Sequence, residues 1–317
     1  MAQIGRMFNS DPTPGSVMAP QPADLDRLVA GLDPDRPVLI AGPTAAGKSA
    51  LALRIADRIG GAVVNADALQ VWSCWRVLTA RPSVQDEAAV PHLLYGQVEP
   101  GRSYSVGDWL AEMGDLVASG RRLVIAGGTG LYLTALTRGL AVIPPVPQGI
   151  RAESDALLAE KDGLARMIEA LDARTRGGLD LRNPARVQRA WEVLRATGRG
   201  LAAWQAETGA PLIPPETAQR LVLTMDRDRL ADRIAQRFDS MLQGGALKEV
   251  AAMRPLMTPR AQWARAIGAA ELAAHLDGRL TLDEARERAV IATRQYAKSQ
   301  RIWFRNRMRD WQSVHLG

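Results

Sequence analysis

Lys48, one of only four lysines in 317 residues, stands in the run Gly42-Pro43-Thr44-Ala45-Ala46-Gly47-Lys48-Ser49, a complete G-x-x-x-x-G-K-[ST] phosphate-binding loop. The chemistry of such a loop is anion capture. Its backbone N–H groups and the N-terminus of the following helix face a phosphate, the lysine adds a point charge, and the Ser49 hydroxyl can ligate a phosphate-bound Mg²⁺. Asp67, at the end of the apolar run 62–66, is the second residue with chemistry to offer. Its carboxylate can serve as a general base toward an incoming nucleophile or, more plainly, cap a following helix. Other reactive types are sparse. The lone Cys74 excludes an internal disulfide and any multi-cysteine metal site, and reads as buried and inert. His92, His275 and His315 are too dispersed to form a ligand pattern.

The elements that must position these groups are visible as hydrophobic patterning. Residues 37–41 form an apolar run before the loop and 50–56 a helical run after it, which is the context the motif requires. Further strands are predicted at 62–66, 122–126 and 220–225, with helices at 131–140, 229–243, 246–253, 264–276 and 281–308. Continuous apolar strands alternating with helices indicate an α/β fold built on a parallel sheet buried on both faces. Ligands in such sheets bind where the strands end, so the loop, Asp67 and Gly127-Gly128-Thr129-Gly130 can share one site. Pro-rich breaks at 143–149 and 211–215 divide the chain into a P-loop core, 37–145 and 215–317, and a helical insertion, 146–214. Residues 1–36, rich in Pro and broken by Asp11, Asp24, Asp26 and Asp33, read as a loose leader without a signal-peptide core. No segment is of membrane-spanning character, and a cytoplasmic location follows by default.

Charge separates partners. The chain holds 40 Lys and Arg against 34 Asp and Glu, and from residue 218 onward the counts are 18 against 11, leaving 22 against 23 before. The positive excess is therefore C-terminal. A second group, Arg174, Arg176, Arg182, Arg186, Arg189, Arg195 and Arg199, faces only Asp180 and Glu192 within its span. Two basic regions around a neutral phosphate-binding core point to a polyanion larger than a nucleotide. On the last helix, Arg294, Lys298, Arg301 and Arg305 share one face, and Tyr296 and Trp303 point roughly opposite, as core anchors. The strand 122–126 runs into two glycines and not into the second acidic residue of an ATP hydrolase. Small P-loop kinases, and enzymes that use the loop for a leaving pyrophosphate, remain.

Beyond the loop the chain resembles the tRNA dimethylallyltransferases. The matching stretches are the P-loop, Asn65-Ala66-Asp67-Ala68-Leu69-Gln70-Val71, Thr79-Ala80-Arg81-Pro82, Tyr104-Ser105-Val106-Gly107-Asp108-Trp109, Gly127-Gly128-Thr129-Gly130-Leu131-Tyr132, Arg186-Val187-Gln188-Arg189-Ala190-Trp191, Arg233-Ile234-Ala235-Gln236-Arg237 and Ala292-Thr293-Arg294-Gln295-Tyr296-Ala297-Lys298. They occur in family order over nearly the whole chain. The resemblance implies transfer of a dimethylallyl group from dimethylallyl diphosphate to N6 of the adenosine beside the anticodon of tRNAs reading codons that begin with U. It implies Asp67 as base, Lys48, Ser49, Thr44 and Arg237 at the diphosphate, Mg²⁺ as cofactor with Ser49 as its ligand, and a monomer. It places Asp67, Ala68, Leu69, Gln70 and Thr129 along the acceptor channel, and Arg151, Arg182, Arg186, Arg189, Arg265, Arg294 and Lys298 against tRNA. The chain departs from the usual pattern at Ala68, where most relatives carry Ser, at Trp72 in place of Tyr, and at Ala269 and Ala270, where an aromatic and a basic residue are usual. A kinase or a prenyltransferase acting on free adenine nucleotides is the alternative enzyme. A catalytically silent RNA-binding module would leave Lys48 and Asp67 without purpose.

Overall fold

A computed structural model of the chain describes residues 22–258 and 261–316. Six strands, β1 (Val38–Ala41), β2 (Ala62–Asn65), β3 (His92–Leu93), β4 (Leu123–Gly127), β5 (Gln219–Thr224) and β6 (Gln312–His315), form one sheet in the order β3-β2-β4-β1-β5-β6, with every neighbouring pair parallel. The helices are α1 (Pro22–Ala30), α2 (Lys48–Ile59), α3 (Val84–Ala89), α4 (Val106–Ala118), α5 (Gly130–Arg138), α6 (Gln148–Ala159), α7 (Gly163–Ala170), α8 (Ala173–Gly178), α9 (Pro184–Thr197), α10 (Leu201–Gln205), α11 (Arg227–Gln243), α12 (Ala246–Met253), α13 (Ala269–Leu276) and α14 (Leu282–Arg307).

The apolar runs work because alternate side chains enter different layers. Val38, Ile40, Val63 and Val124 pack with Leu51, Ile55 and Ile59 of α2, whereas Leu39, Val64 and Ile125 pack with Trp109, Met113 and Leu133 of α4 and α5. At roughly 1.5–3 kcal/mol for each such fully buried side chain, this double-sided burial is what holds the sheet. The register pairs Ala41 with Gly127 and Asn65 with Ala126, so the chain leaves β1, β2 and β4 at one edge. There the strands come unusually close: a Cβ on Gly127 would sit 2.0 Å from the Ala66 carbonyl oxygen. Gly127→Ala is expected to overpack this edge at a cost of about 2 kcal/mol, read as a lower urea midpoint with unchanged slope.

Over that edge lie α11 to α14, whose buried Ile234, Phe238, Val250, Leu272 and Ala289 gather around Trp72 and Trp75. Helices α6 to α10 enclose a smaller core of Met167, Leu171, Val187, Ala190 and Trp191.

Several expectations need correction. Residues 22–30, assigned to the loose leader, form α1, and Val29, Leu25, Leu28 and Leu32 pack against the α2 side of the sheet; residues 1–21 lie outside the described residues. The helix expected at 264–276 is broken, because Gly268 adopts φ +97°, so that the short turn Trp263–Arg265 and α13 are separate. Strands β3 and β6 were not anticipated. β3 has two residues, and β6 shows no apolar run because only Val314 of its four residues is buried.

Candidate active site

The P-loop leaves β1 and enters α2 through Gly47, which takes the left-handed conformation, φ +97°, that a residue with a Cβ rarely adopts. The approach to Gly42 is also tight: a Cβ there would lie 3.0 Å from Leu223 Cβ. The Lys48 ammonium reaches back over the loop and donates to the Pro43 carbonyl at 2.8 Å. Burial drives its pKa from 10.5 down to about 8, with Asp67 opposing the shift and Arg237 adding to it. Arg237, on α11, is likewise held below the usual arginine range by burial; Asp67 opposes, and Arg233 adds to the shift. These are cations with unmet electrostatic demand, grouped where the helix N-terminus already favours an anion.

Asp67 is fixed by its neighbours. Its backbone N–H donates to Asn65 Oδ1 at 2.7 Å, and Asn65 Nδ2 returns a bond to the Asp67 carbonyl at 3.0 Å and a second to the Leu94 carbonyl at 2.9 Å. Asn65 is fully buried, and Trp109 Nε1 donates to its carbonyl at 2.8 Å. Asp67 Oδ1 accepts the Leu69 N–H at 3.0 Å, so the carboxylate closes a local turn and not a helix, leaving Oδ2 for chemistry. The Thr129 hydroxyl accepts the Ala68 N–H at 2.9 Å, and the Thr129 N–H donates to the Ala66 carbonyl at 3.1 Å. Thr129 thus braces the carboxylate loop.

One cavity joins the groups. Thr44, Ala45, Lys48, Ser49, Asp67, Leu69, Gln70 and Arg237 line it together with Tyr95, Thr293 and Tyr296. Its apolar wall is made by Leu78, Ile234, Phe238, Met241 and Ile267. That wall is anchored through Glu249 on α12, whose carboxylate accepts the backbone N–H groups of Arg76, Val77 and Leu78 at 2.9, 2.8 and 2.9 Å. The field of Asp67 reaches every titratable group around the cavity. It acts on Lys48 and Arg237, and it adds to burial in raising the phenol pKa values of Tyr95 and Tyr296. Asp67 is the one acidic side chain in the lining.

With the geometry in place, comparison with known proteins places the chain. The IPP transferase family model matches residues 70–307. The chain is 66% identical over 295 residues to the tRNA dimethylallyltransferase of Paracoccus denitrificans, covering 92% of this chain and 98% of the relative. Against the tRNA dimethylallyltransferase of Cereibacter sphaeroides it is 61% identical over 285 residues, 90% of each. The chain belongs to the IPP transferase family. Among solved structures, the full-length tRNA isopentenylpyrophosphate transferase of Bacillus halodurans matches with TM-score 0.64 and 30% identity, over 89% of this chain and 90% of that one. The tRNA delta(2)-isopentenylpyrophosphate transferase of Staphylococcus epidermidis matches with TM-score 0.60 and 26% identity over 88% and 93%.

For a member of the IPP transferase family the remaining positions fall into two groups. Arg151, Arg182, Arg186, Arg189, Arg265, Arg294, Lys298, Arg301 and Arg305 are all exposed. Arg189, on α9, keeps its side chain 44% exposed, and partial desolvation draws it below the usual arginine range against the pull of Glu192, with the charge of Arg151 on α6 adding to the shift. Gln70 lines the cavity, but its amide N–H groups are spent on the Thr79 and Ala80 carbonyls at 2.8 and 3.1 Å. Ala68 packs beneath the loop with the α4 and α5 core. Ser49 is exposed at the cavity mouth, in the first turn of α2.

Sequence reasoning missed several contributors. Asn65 and Trp109 lay within quoted stretches without a role, and Arg233 places its Nη2 3.8 Å from where a Gly47 Cβ would be. Tyr296, expected as a core anchor, faces the cavity instead. Trp303 is half-buried and caps Gly130, where a Cβ would lie 2.2 Å from its indole. The helical period places these aromatics opposite the basic stripe, but it does not say whether that side meets a core or a cavity. Cys74 is partly buried, and burial pushes its thiol up to about 12, where it is inert. His92 and His275 each bond a backbone carbonyl through Nδ1, at 2.7 and 3.1 Å.

Proposed function

We propose that this protein transfers a dimethylallyl group from dimethylallyl diphosphate to N6 of the adenosine beside the anticodon of tRNA. The observation that carries this reading is the mixed lining of one cavity: the P-loop with Lys48 and Arg237, Arg233 beside the loop at Gly47, and an apolar set of Leu78, Ile234, Phe238, Met241 and Ile267. A short prenyl diphosphate has that polarity. A nucleoside triphosphate does not use an aliphatic wall, and the lining has no second carboxylate beyond Asp67.

The roles follow from position. The loop amides, Lys48 and Arg237 hold the diphosphate and neutralise the charge that accumulates as the allylic C–O bond breaks. Adenine N6 is a poor nucleophile because its lone pair is delocalised into the ring, so Asp67 takes its proton as the N–C bond forms. The C–O electron pair leaves with the diphosphate. Among the described residues no cluster of carboxylates and imidazoles could cage a metal, whereas Ser49 brings its hydroxyl to the cavity lining from the first turn of α2. That donor set suits Mg²⁺, which Ser49 and the substrate phosphates would hold and which would supply further charge neutralisation for the leaving group. The adenine must leave its stack to reach Asp67. The exposed arginines of α9 and α14, and the helical segment 146–214 as a whole, supply the surface that holds the anticodon arm. The enzyme acts in the cytoplasm as a monomer; among the described residues no helix is long and apolar enough to cross a membrane.

Labelled donor offered in parallel to unmodified tRNA, free adenine nucleotides and no acceptor tests the reading. Label is expected in tRNA alone, and label in the nucleotides, or phosphate transfer from ATP, would replace it. Changing Arg294 and Lys298 together to alanine is expected to weaken tRNA binding about tenfold at moderate salt and flatten the log–log salt slope by about 2, with kcat unchanged. Filter binding over a salt series measures both.

A further inference from the structure

Gln300 occupies a position that the chemistry above does not explain. It lies in the middle of α14, is 5% exposed, and carries no charge, yet it touches both halves of the active site. Its Oε1 accepts the Thr44 N–H of the P-loop at 2.9 Å, and its Nε2 donates to the Gly128 carbonyl at 2.9 Å. The two partners fix the orientation of the amide, since a backbone N–H must meet oxygen and a carbonyl must meet nitrogen. Gly128 in turn adjoins the carboxylate: a Cβ there would lie 2.3 Å from Gln300 Nε2 and 3.3 Å from Asp67 Oδ2. Thr44 and Gly128 belong to loops that follow different strands and are joined through this side chain by no other atom than its amide. Tyr296, one turn earlier on α14, lines the cavity, so the same helix presents a second side chain to the site.

We propose that Gln300 is a positioning residue that sets the distance between the diphosphate cradle and the Asp67 carboxylate. Transfer requires donor carbon, acceptor nitrogen and base in line, and a displacement of about 1 Å can cost about 10²-fold in rate. A primary amide of this reach offers an acceptor and a donor on one rigid plane at every physiological pH, which an ionised carboxylate does not. The consequence extends to the acceptor, because the opposite face of α14 carries Arg294, Lys298, Arg301 and Arg305. The helix that would carry the RNA thus also carries the bracket across the two reacting loops. This inference rests on the prenyl-transfer reading of the site.

Two variants test it. Gln300→Glu keeps an acceptor for Thr44 N–H but turns a carboxylate oxygen against the Gly128 carbonyl, and Gln300→Met keeps the length while losing both bonds. Each is compared with the wild type for kcat, for the KM of tRNA and for the folded fraction by circular dichroism. We expect kcat to fall about 10- to 100-fold in both, with the KM of tRNA held within about twofold and the chain folded at the assay temperature. A merely structural role would not produce the next effect. Burial raises a carboxyl pKa, and once protonated the group introduced by Gln300→Glu regains a donor for the Gly128 carbonyl, so its kcat relative to wild type should climb as pH is lowered from about 8 to about 6. The Met variant, with nothing to titrate, should keep a constant ratio. If both variants stay within about threefold of wild-type kcat, or if their losses equal their loss of folded protein, the inference is overturned. A flat ratio for Gln300→Glu across that range overturns it as well. Failure of the wild type to prenylate tRNA would instead refute the proposed function.

Discussion

Replacing Asp67 with asparagine is expected to lower kcat about 10³-fold while leaving the affinity for unmodified tRNA within about twofold. Asparagine is the informative substitution because the existing geometry survives it. The side-chain oxygen can still accept the Leu69 N–H, now made at 3.0 Å, and the backbone bonds to Asn65 do not involve the side chain that changes. What disappears is a proton acceptor and a negative charge. The second loss has its own signature. Asp67 supports the protonated form of Lys48 and of Arg237, so without it the lysine pKa should drop further below about 8. Single-turnover rates at saturating donor, together with tRNA binding measured separately, distinguish lost chemistry from lost recognition.

The second large effect belongs to Lys48. Lys48→Met is expected to reduce kcat/KM for the prenyl donor by about 10²- to 10³-fold, because the variant loses a preorganised cation at the point where leaving-group charge develops. In the wild type the same group predicts a pH dependence. Its proton is lost from the free enzyme near about 8, so kcat/KM for the donor should fall as pH rises through that value. Bound diphosphate restores proton affinity to the ammonium, and kcat should therefore persist to higher pH. Stability moves in the opposite sense. The folded-state pKa is depressed below 10.5, so between about 8 and 10.5 the unfolded chain binds more protons, and this lysine's penalty on folding shrinks as pH rises. The penalty is fully present below about 8, where the anion relieves it. Inorganic pyrophosphate should accordingly raise Tm more at about pH 7 than at about pH 9.

The legible part of this protein was local. The P-loop, its flanking strand and helix, and the apolar runs at β1, β2, β4 and β5 are all set by residues adjacent in the chain; the strand boundaries fall within one residue of the expected ones, and α2 runs two residues earlier and three later than its apolar run. Asp67 was readable as a carboxylate at a strand end. What could not be read were relations across the sheet. Asn65 matters because Leu94 and Trp109 come to it from other elements, and Gln300 meets Thr44 from 256 residues away. The apolar wall draws Leu78 from a loop, Ile234, Phe238 and Met241 from α11, and Ile267 from the turn before α13. No periodicity within one segment announces that these five form a single surface. The helix break at Gly268 has the same origin: a Cβ there would lie 2.9 Å from Phe238, so the glycine is dictated by a neighbour that only the fold supplies.

The most direct test of the whole account is mass analysis of nucleosides from unmodified tRNA incubated with purified protein, Mg²⁺ and isotopically labelled dimethylallyl diphosphate. The label is expected on N6 of one adenosine, the one beside the anticodon, with one equivalent of inorganic pyrophosphate released for each group transferred. A phosphorylated acceptor, label on free nucleotide in preference to tRNA, or pyrophosphate release without label on adenosine would contradict it.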